Sequence, residues 1–193
     1  MADCCTPTKS PRATYDLAVI GAGSAGVSAC VNVGCVPSKT MIRAAEALHG
    51  TRAAGRFPGL TGEAQVRDWR RLIAAKDDLV STLRQKKYAD LLPAYNTIAY
   101  LEGEARLNGA GVIVDGTAIA AGKTIIATGG RPAVPPIPGI DKVNCLTSTT
   151  LLELEELPES LIVIGGGFIG AELAQMMARM GVRVTVVCRS RLL

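Results

Sequence analysis

At 193 residues, 48% of them apolar and only 4% aromatic, the chain can bury one or two cores and has the Ala-, Gly- and Val-rich mix of packed α/β proteins. A net charge of +4, with basic residues scattered and interleaved with acids from Arg67 to Lys87, excludes a nucleic-acid-binding stripe. The most apolar stretch, Leu161 to Val187, carries Glu172, Arg179 and several glycines, and the N-terminus has Asp3 and no apolar run; neither a membrane span nor a secretory leader is expected, and a cytoplasmic protein with reduced thiols is.

Residues 1–14 are polar, hold Pro7 and Pro11, and read as a mobile arm. The adjacent Cys4 and Cys5 could pass on a soft metal ion or be two incidental thiols. Asp16 to Ile20 is a short apolar strand, followed by Gly21-Ala22-Gly23-Ser24-Ala25-Gly26 opening a helix. Glycines in this pattern permit a tight turn and close backbone approach, and the helix start receives a pyrophosphate. A whole βαβ unit takes about 30 residues, with a ribose-binding acid about 20 positions beyond the glycines. Only Val27, Ser28 and Ala29 separate Gly26 from Cys30, so an internal deletion of roughly 20 residues is inferred between Ala29 and Cys30.

Cys30 and Cys35 stand five positions apart. A helix is expected from Ser38 to His49, with Pro37 in its first turn, where a missing N–H is tolerated. The amides and dipole of a helix start favour an anion, and Lys39 adds a positive charge. The pair could cycle between dithiol and disulfide, could ligate a metal, or could be two small apolar residues. A four-ligand zinc site is disfavoured, because the chain has one His, His49, and no second closely spaced cysteine pair. His49, at a helix end, is assigned no chemistry.

A loop from Gly50 to Gly62 leads to a long helix from Val66 to about Leu92, with Trp69, Ile73, Val80 and Leu83 as its inward stripe. Leu101 to Leu107, Gly111 to Val114, Thr117 to Ile119 and Lys123 to Ala127 read as short strands of an antiparallel meander. Pro132 to Gly139 is stiff and suits a domain exit. Thr147 to Thr150 can cap a helix near Leu151 that ends by Pro158. A second Gly-rich unit follows: Leu161 to Ile164 as strand, the turn with Gly165, Gly167 and Gly170, a helix to about Met180, and a strand from Val182 to Val187. Arg189 and Arg191 follow that strand where an acid would hold a free ribose 2′-hydroxyl, so a 2′-phosphate, and hence NADPH, is preferred.

The block Cys30-Val31-Asn32-Val33-Gly34-Cys35-Val36-Pro37-Ser38-Lys39 resembles the redox-active segment of the class I flavin-dependent pyridine nucleotide–disulfide oxidoreductases, most closely their mercury-reducing branch. The likeness runs from Tyr15 to Leu193. It implies a three-layer FAD/NAD(P)-binding Rossmann-like α/β fold, with FAD on residues 15–140 and the start of an NADPH-binding domain at 141–193. It implies that Gly21, Gly23, Ser24, Ala25 and Gly26, with Ala127, Thr128 and Gly129, hold FAD. Gly165, Gly167, Phe168, Ile169 and Gly170, with Arg189 and Arg191, would serve NADPH. Cys35 corresponds to the flavin-side thiol and Cys30 to the interchange thiol. Glu172 corresponds to the acid paired with Lys39 in a buried pair beside the flavin, and Phe168 replaces the tyrosine that screens the flavin. Hg(II) would be the substrate, held by Cys30 and Cys35. The family is homodimeric; its dimerisation domain and C-terminal cysteine pair are expected to be absent here, and weak or no FAD binding follows. Alternatives are another disulfide oxidoreductase of the family, of dihydrolipoamide dehydrogenase or glutathione reductase type, and a non-enzymatic thiol-bearing Hg(II)-binding chain.

Overall fold

A computed structural model describes residues 14–21, 35–86, 94–109 and 111–189. The described residues form two compact units, one drawn from residues 14–21 and 80–131, the other from 35–79 and 132–189. The expected arm at 1–14, the turn Gly23 to Gly26, and the inferred gap before Cys30 lie almost wholly outside the described residues.

In the first unit, β1 (Thr14–Ile20), β2 (Ala105–Asn108), β3 (Gly111–Val114) and β4 (Thr117–Ile126) form a sheet of order β1-β4-β3-β2. The antiparallel meander is present as β2-β3-β4, and β4 also pairs in parallel with β1. The two short strands expected from Thr117 to Ala127 are one. Ala120 aligns with Gly111 on one side and Thr14 on the other, so pairing carries the strand through Ala120-Ala121-Gly122, where side-chain preference for strand is weak. Residues 101–104, expected as strand, are not.

The β3–β4 turn is built on Asp115 (φ 45°) and Gly116 (φ 85°), the left-handed pair that suits the twist of a two-residue hairpin. Asp115 Oδ1 also accepts the Glu104 N–H at 2.8 Å, and the Asp115 N–H donates to the Glu104 carbonyl at 3.2 Å. One side chain thus closes a turn and fixes the loop that precedes β2.

The second unit holds α1 (Cys35–Arg52), the N-terminal part of α2 (Trp69–Arg84), β5 (Ser160–Ile164), α3 (Phe168–Arg179) and β6 (Arg183–Val187). β5 and β6 pair in parallel, Leu161 opposite Val184 and Val163 opposite Val186. The inward-facing positions alternate as a half-covered sheet requires; Ile162, Ile164 and Val187 on the other face are exposed. Met41, Ala45, Trp69, Ile73, Leu173, Met176 and Met177 form the core, joined by Leu151 and Leu152. Met41, Met176 and Met177 are fully buried, and burial of such a side chain stabilises by about 1.5–3 kcal/mol.

Helix α1 is longer than the expected Ser38 to His49 and takes in Cys35 itself. Helix α2 starts at Trp69, not Val66, because Asp68 caps it, its Oδ1 accepting the Arg71 N–H at 3.0 Å. Trp69 donates its indole N–H to the Leu154 carbonyl at 2.8 Å, and Arg70 reaches Glu156 at 2.9 Å. Thr147 and Thr150 cap each other's backbone N–H groups, but what they open is a single 3₁₀ turn from Thr150 to Glu153. No helix among the described residues is long and apolar enough to cross a membrane.

Candidate nucleotide and thiol sites

The first Gly-rich turn leaves β1 at Gly21, whose φ of 102° is open to glycine and costly for other residues. A Cβ on Gly21 would stand 2.5 Å from the Ala127 carbonyl oxygen and 2.9 Å from the Thr128 nitrogen. The Ala127 N–H donates to the Ile20 carbonyl at 2.7 Å, so the end of β4 is stitched to the end of β1. Two separate sequence features, the first glycine of the fingerprint and the Ala127-Thr128-Gly129 segment, therefore meet at the carboxyl ends of adjacent parallel strands. Nucleotides bind there in open α/β sheets. Ala127 is buried, and Gly129 (φ 75°) turns the chain away.

The second turn is described throughout. Gly165 has φ 112°, and its N–H donates to the Val187 carbonyl at 2.9 Å, which ties the turn to the end of β6. Gly167 precedes α3 with extended backbone, and its carbonyl accepts the Ala171 N–H at 2.9 Å. A Cβ at Gly165 or Gly167 would meet nothing within 4 Å, which leaves the backbone open to a phosphate. A Cβ at Gly170 would clash with the Gly165 carbonyl oxygen. A turn with left-handed backbone at Gly165, open space at Gly167 and close packing of Gly170 on the Gly165 carbonyl is the geometry that a pyrophosphate-binding turn requires. Phe168 and Ile169, the first residues of α3, are 79% and 65% exposed, so the ring of one and the aliphatic side chain of the other are open to solvent. Arg189 follows β6 by two residues; Arg191 lies outside the described residues.

Cys35 is exposed at the first residue of α1 and forms no disulfide with another cysteine among the described residues. Cys30, the partner that the resemblance implies, lies outside the described residues, as do Cys4 and Cys5. One turn beyond Cys35, the Lys39 ammonium donates to Glu172 Oε1 at 2.6 Å. The structure brings these two residues together across 133 positions of sequence, from α1 to α3. The pair is not buried, as the resemblance had implied: the side chains are 52% and 50% exposed. A half-exposed ion pair contributes at most about 1 kcal/mol. No group of three or more His, Cys, Asp or Glu among the described residues is placed to hold a metal ion.

Three contributors escaped the sequence reading. Arg52, in the last turn of α1, makes two hydrogen bonds to carbonyls outside its helix. Lys76 occupies the inward stripe of α2 between Ile73 and Val80 and is 3% exposed. Asp115 carries the hairpin. Only Asp115 left a signal, the Asp-Gly pair between two apolar runs.

Parallel strands that end in Gly-rich turns, with a helix beginning at the second, define a Rossmann-like α/β dinucleotide-binding protein. Residues 28–193 match the family model described as pyridine nucleotide-disulphide oxidoreductase, and the chain belongs to that family. It is 43% identical over 209 residues to a mercuric reductase of Streptomyces lividans, with 92% of this chain and 43% of that protein covered. It is 41% identical over 199 residues to a mercuric reductase of Lysinibacillus sphaericus, with 91% and 36% covered. Among solved structures, the HOCl-induced flavoprotein disulfide reductase RclA from Escherichia coli superimposes with a TM-score of 0.72 at 31% identity, covering 89% of this chain and 41% of that one. A Cu(II) complex of a mutant of the same protein gives a TM-score of 0.75 at 29% identity, covering 94% and 44%. The chain thus spans less than half the length of these relatives. Both alignments to the mercuric reductases are longer than the 193-residue chain, so the relatives carry additional residues within the matched span.

Proposed function

We propose that this chain is the nucleotide-binding part of an FAD- and NADPH-dependent disulfide oxidoreductase whose redox group is the Cys30/Cys35 pair. The observation that carries the reading is the join between α1 and α3. The helix that opens on Cys35 is tied by Lys39 and Glu172 to the helix that opens on the second Gly-rich turn. Gly21 with Ala127 and Thr128 would hold the flavin nucleotide, and Gly165, Gly167 and Gly170 the pyrophosphate of NADPH; the open backbone at Gly165 and Gly167 supports the second of these. FAD and NADPH, when bound, supply the two electrons that convert a Cys30–Cys35 disulfide to two thiols. The chain's own residues do the rest. Cys35 is the flavin-side thiol and Cys30 the exchanging one; Lys39 and Glu172 set the charge beside them; Phe168 screens the flavin position; Arg189 and Arg191 favour the 2′-phosphate. Residues 15–140 are the flavin part, and the nicotinamide part begins at 141.

A second reading narrows the substrate to Hg(II). The curated relatives described above are named mercuric reductases, and a soft cation suits a pair of thiolates. An inner gap before Cys30 is supported by the longer matched span of those relatives, and by the place of β1 at the edge of its sheet among the described residues. A first strand with that gap holds FAD poorly, so purified chain is expected without stoichiometric flavin. The test supplies FAD and follows NADPH oxidation with Hg(II), with small disulfides, and with neither. Mercury-stimulated oxidation selects the second reading, and oxidation with disulfides alone selects the first. Tight Hg(II) binding without NADPH consumption makes this a thiol-bearing metal-binding chain and overturns both.

A further inference from the structure

Helices α1 and α3 lie side by side and run parallel. Lys39 meets Glu172, and seven residues further along both helices Glu46 meets Arg179 at 3.9 Å. Contacts that advance together in both sequences fix both the direction and the register. Carried one turn back toward the helix starts, the same register sets Cys35 level with Phe168, the thiol level with the residue that opens the nicotinamide-side helix.

The apolar seam between these helices does not define that register well. Its most deeply buried residues are Met41, Ala45, Met176 and Met177, with Leu173 beside them. Methionine is unbranched and adapts its shape, and alanine offers no knob, so sliding along such a seam is weakly resisted. Polar clamps must do it. At the open end stands the half-exposed Lys39–Glu172 pair. At the other end Arg52 uses its guanidinium fork twice: Nε donates to the Ala64 carbonyl at 2.8 Å and Nη1 to the Arg179 carbonyl at 3.2 Å. The Arg179 carbonyl belongs to the last turn of α3, where no helical N–H remains to serve it, and a cation there also opposes the two adjoining negative helix ends. The Arg179 side chain turns back to Glu46, which Arg43 holds at 2.7 Å.

We infer that Arg52 is a positioning residue: it fixes the axial register of α1 on α3, and so the placement of Cys35 and Lys39 relative to Phe168 and Glu172. The inference rests on Cys35 being the reacting thiol of the proposed function. Its test needs neither FAD nor NADPH, so failure of the cofactor reading would leave the result interpretable.

The test is the rate at which Cys35 of the reduced full chain is alkylated by iodoacetamide, followed peptide by peptide by mass spectrometry. In Arg52→Ala the register relaxes, Lys39 parts from Glu172, and an unpaired ammonium one turn from the thiol speeds a reaction that proceeds through the thiolate, by about threefold or more. Arg52→Lys, with one ammonium in place of a two-pronged fork, restores the rate only in part. Adding Lys39→Met to Arg52→Ala removes the acceleration. Glu46→Gln, which leaves both Arg52 bonds in place, should leave the rate near that of the unchanged chain, and Arg52→Lys decides the matter if Arg52→Ala does not fold. A purely structural role would lower the urea midpoint read from Trp69 fluorescence and leave the alkylation rate unchanged in Arg52→Ala and Arg52→Lys; that result overturns the inference.

Discussion

Gly21 lies against the carbonyl of Ala127, so closely that a side chain at Gly21 would stand 2.5 Å from its oxygen. The contact joins the carboxyl ends of β1 and β4. Gly21→Ala adds a Cβ where the neighbour is backbone and φ is 102°, so it can be relieved only by parting β1 from β4. A loss of about 1–3 kcal/mol is expected in that unit. Hydrogen exchange should quicken in the peptides covering Thr14–Ile20 and Thr117–Ile126. Unchanged exchange there would mean that the turn is not braced by Ala127.

Asp115 is held at φ 45° and accepts the Glu104 N–H. Asp115→Ala keeps the strained backbone and removes the acceptor, which should cost about 1–2 kcal/mol. Asp115→Asn, tolerant of the left-handed region and still an acceptor, should retain most of the stability. Thermal unfolding followed by far-ultraviolet circular dichroism separates the two; equal melting temperatures for Ala and Asn would deny the side chain its second role.

The extent to which the sequence disclosed this fold follows from what each element depends on. The β5–α3–β6 unit was legible almost to its ends because glycine spacing and apolar alternation are local properties. β4 was not, because its middle, Ala120-Ala121-Gly122, is made a strand only by partners on both sides, Gly111 and Thr14 among them. Of the site, Lys39 and Glu172 could be matched from a family pattern, but their half-exposure could not. Lys76 was invisible for a different reason: a lysine reads as solvent-facing unless the helix phase is followed through Ile73 and Val80. Arg52 was hidden because its acceptors are carbonyls, which every residue has.

The Lys39–Glu172 pair joins two helices, yet both side chains are half in water. Its contribution to stability should therefore be small. A double-mutant cycle with Lys39→Met and Glu172→Gln, read from urea unfolding by Trp69 fluorescence, should give a coupling of about 0.2–1 kcal/mol. The coupling should shrink as salt is raised. A coupling several times larger would show that the pair behaves as a buried one and that solvent does not reach it.

Lys76 is the opposite case. It is 3% exposed on the inward stripe that runs from Trp69 through Ile73, and its ammonium hydrogen-bonds to the neighbouring Asp77, whose side chain is 61% exposed. The lysine is the partner that loses its water, and a single contact to a solvated carboxylate returns only part of that loss. Its four-carbon stem fills apolar space that a methionine of similar length would fill as well. Lys76→Met is therefore expected to be neutral or to stabilise, by up to about 2 kcal/mol, whereas Lys76→Ala should destabilise by about 1–3 kcal/mol because it leaves a cavity. Asp77→Asn separates packing from charge: it weakens the contact that the buried ammonium makes with Asp77 and should destabilise the wild-type chain, but have no effect once Met stands at 76. Urea midpoints for the three variants and the double mutant Lys76→Met with Asp77→Asn test the scheme. A large loss of stability in Lys76→Met would mean that the ammonium, and not the stem, holds α2 in place.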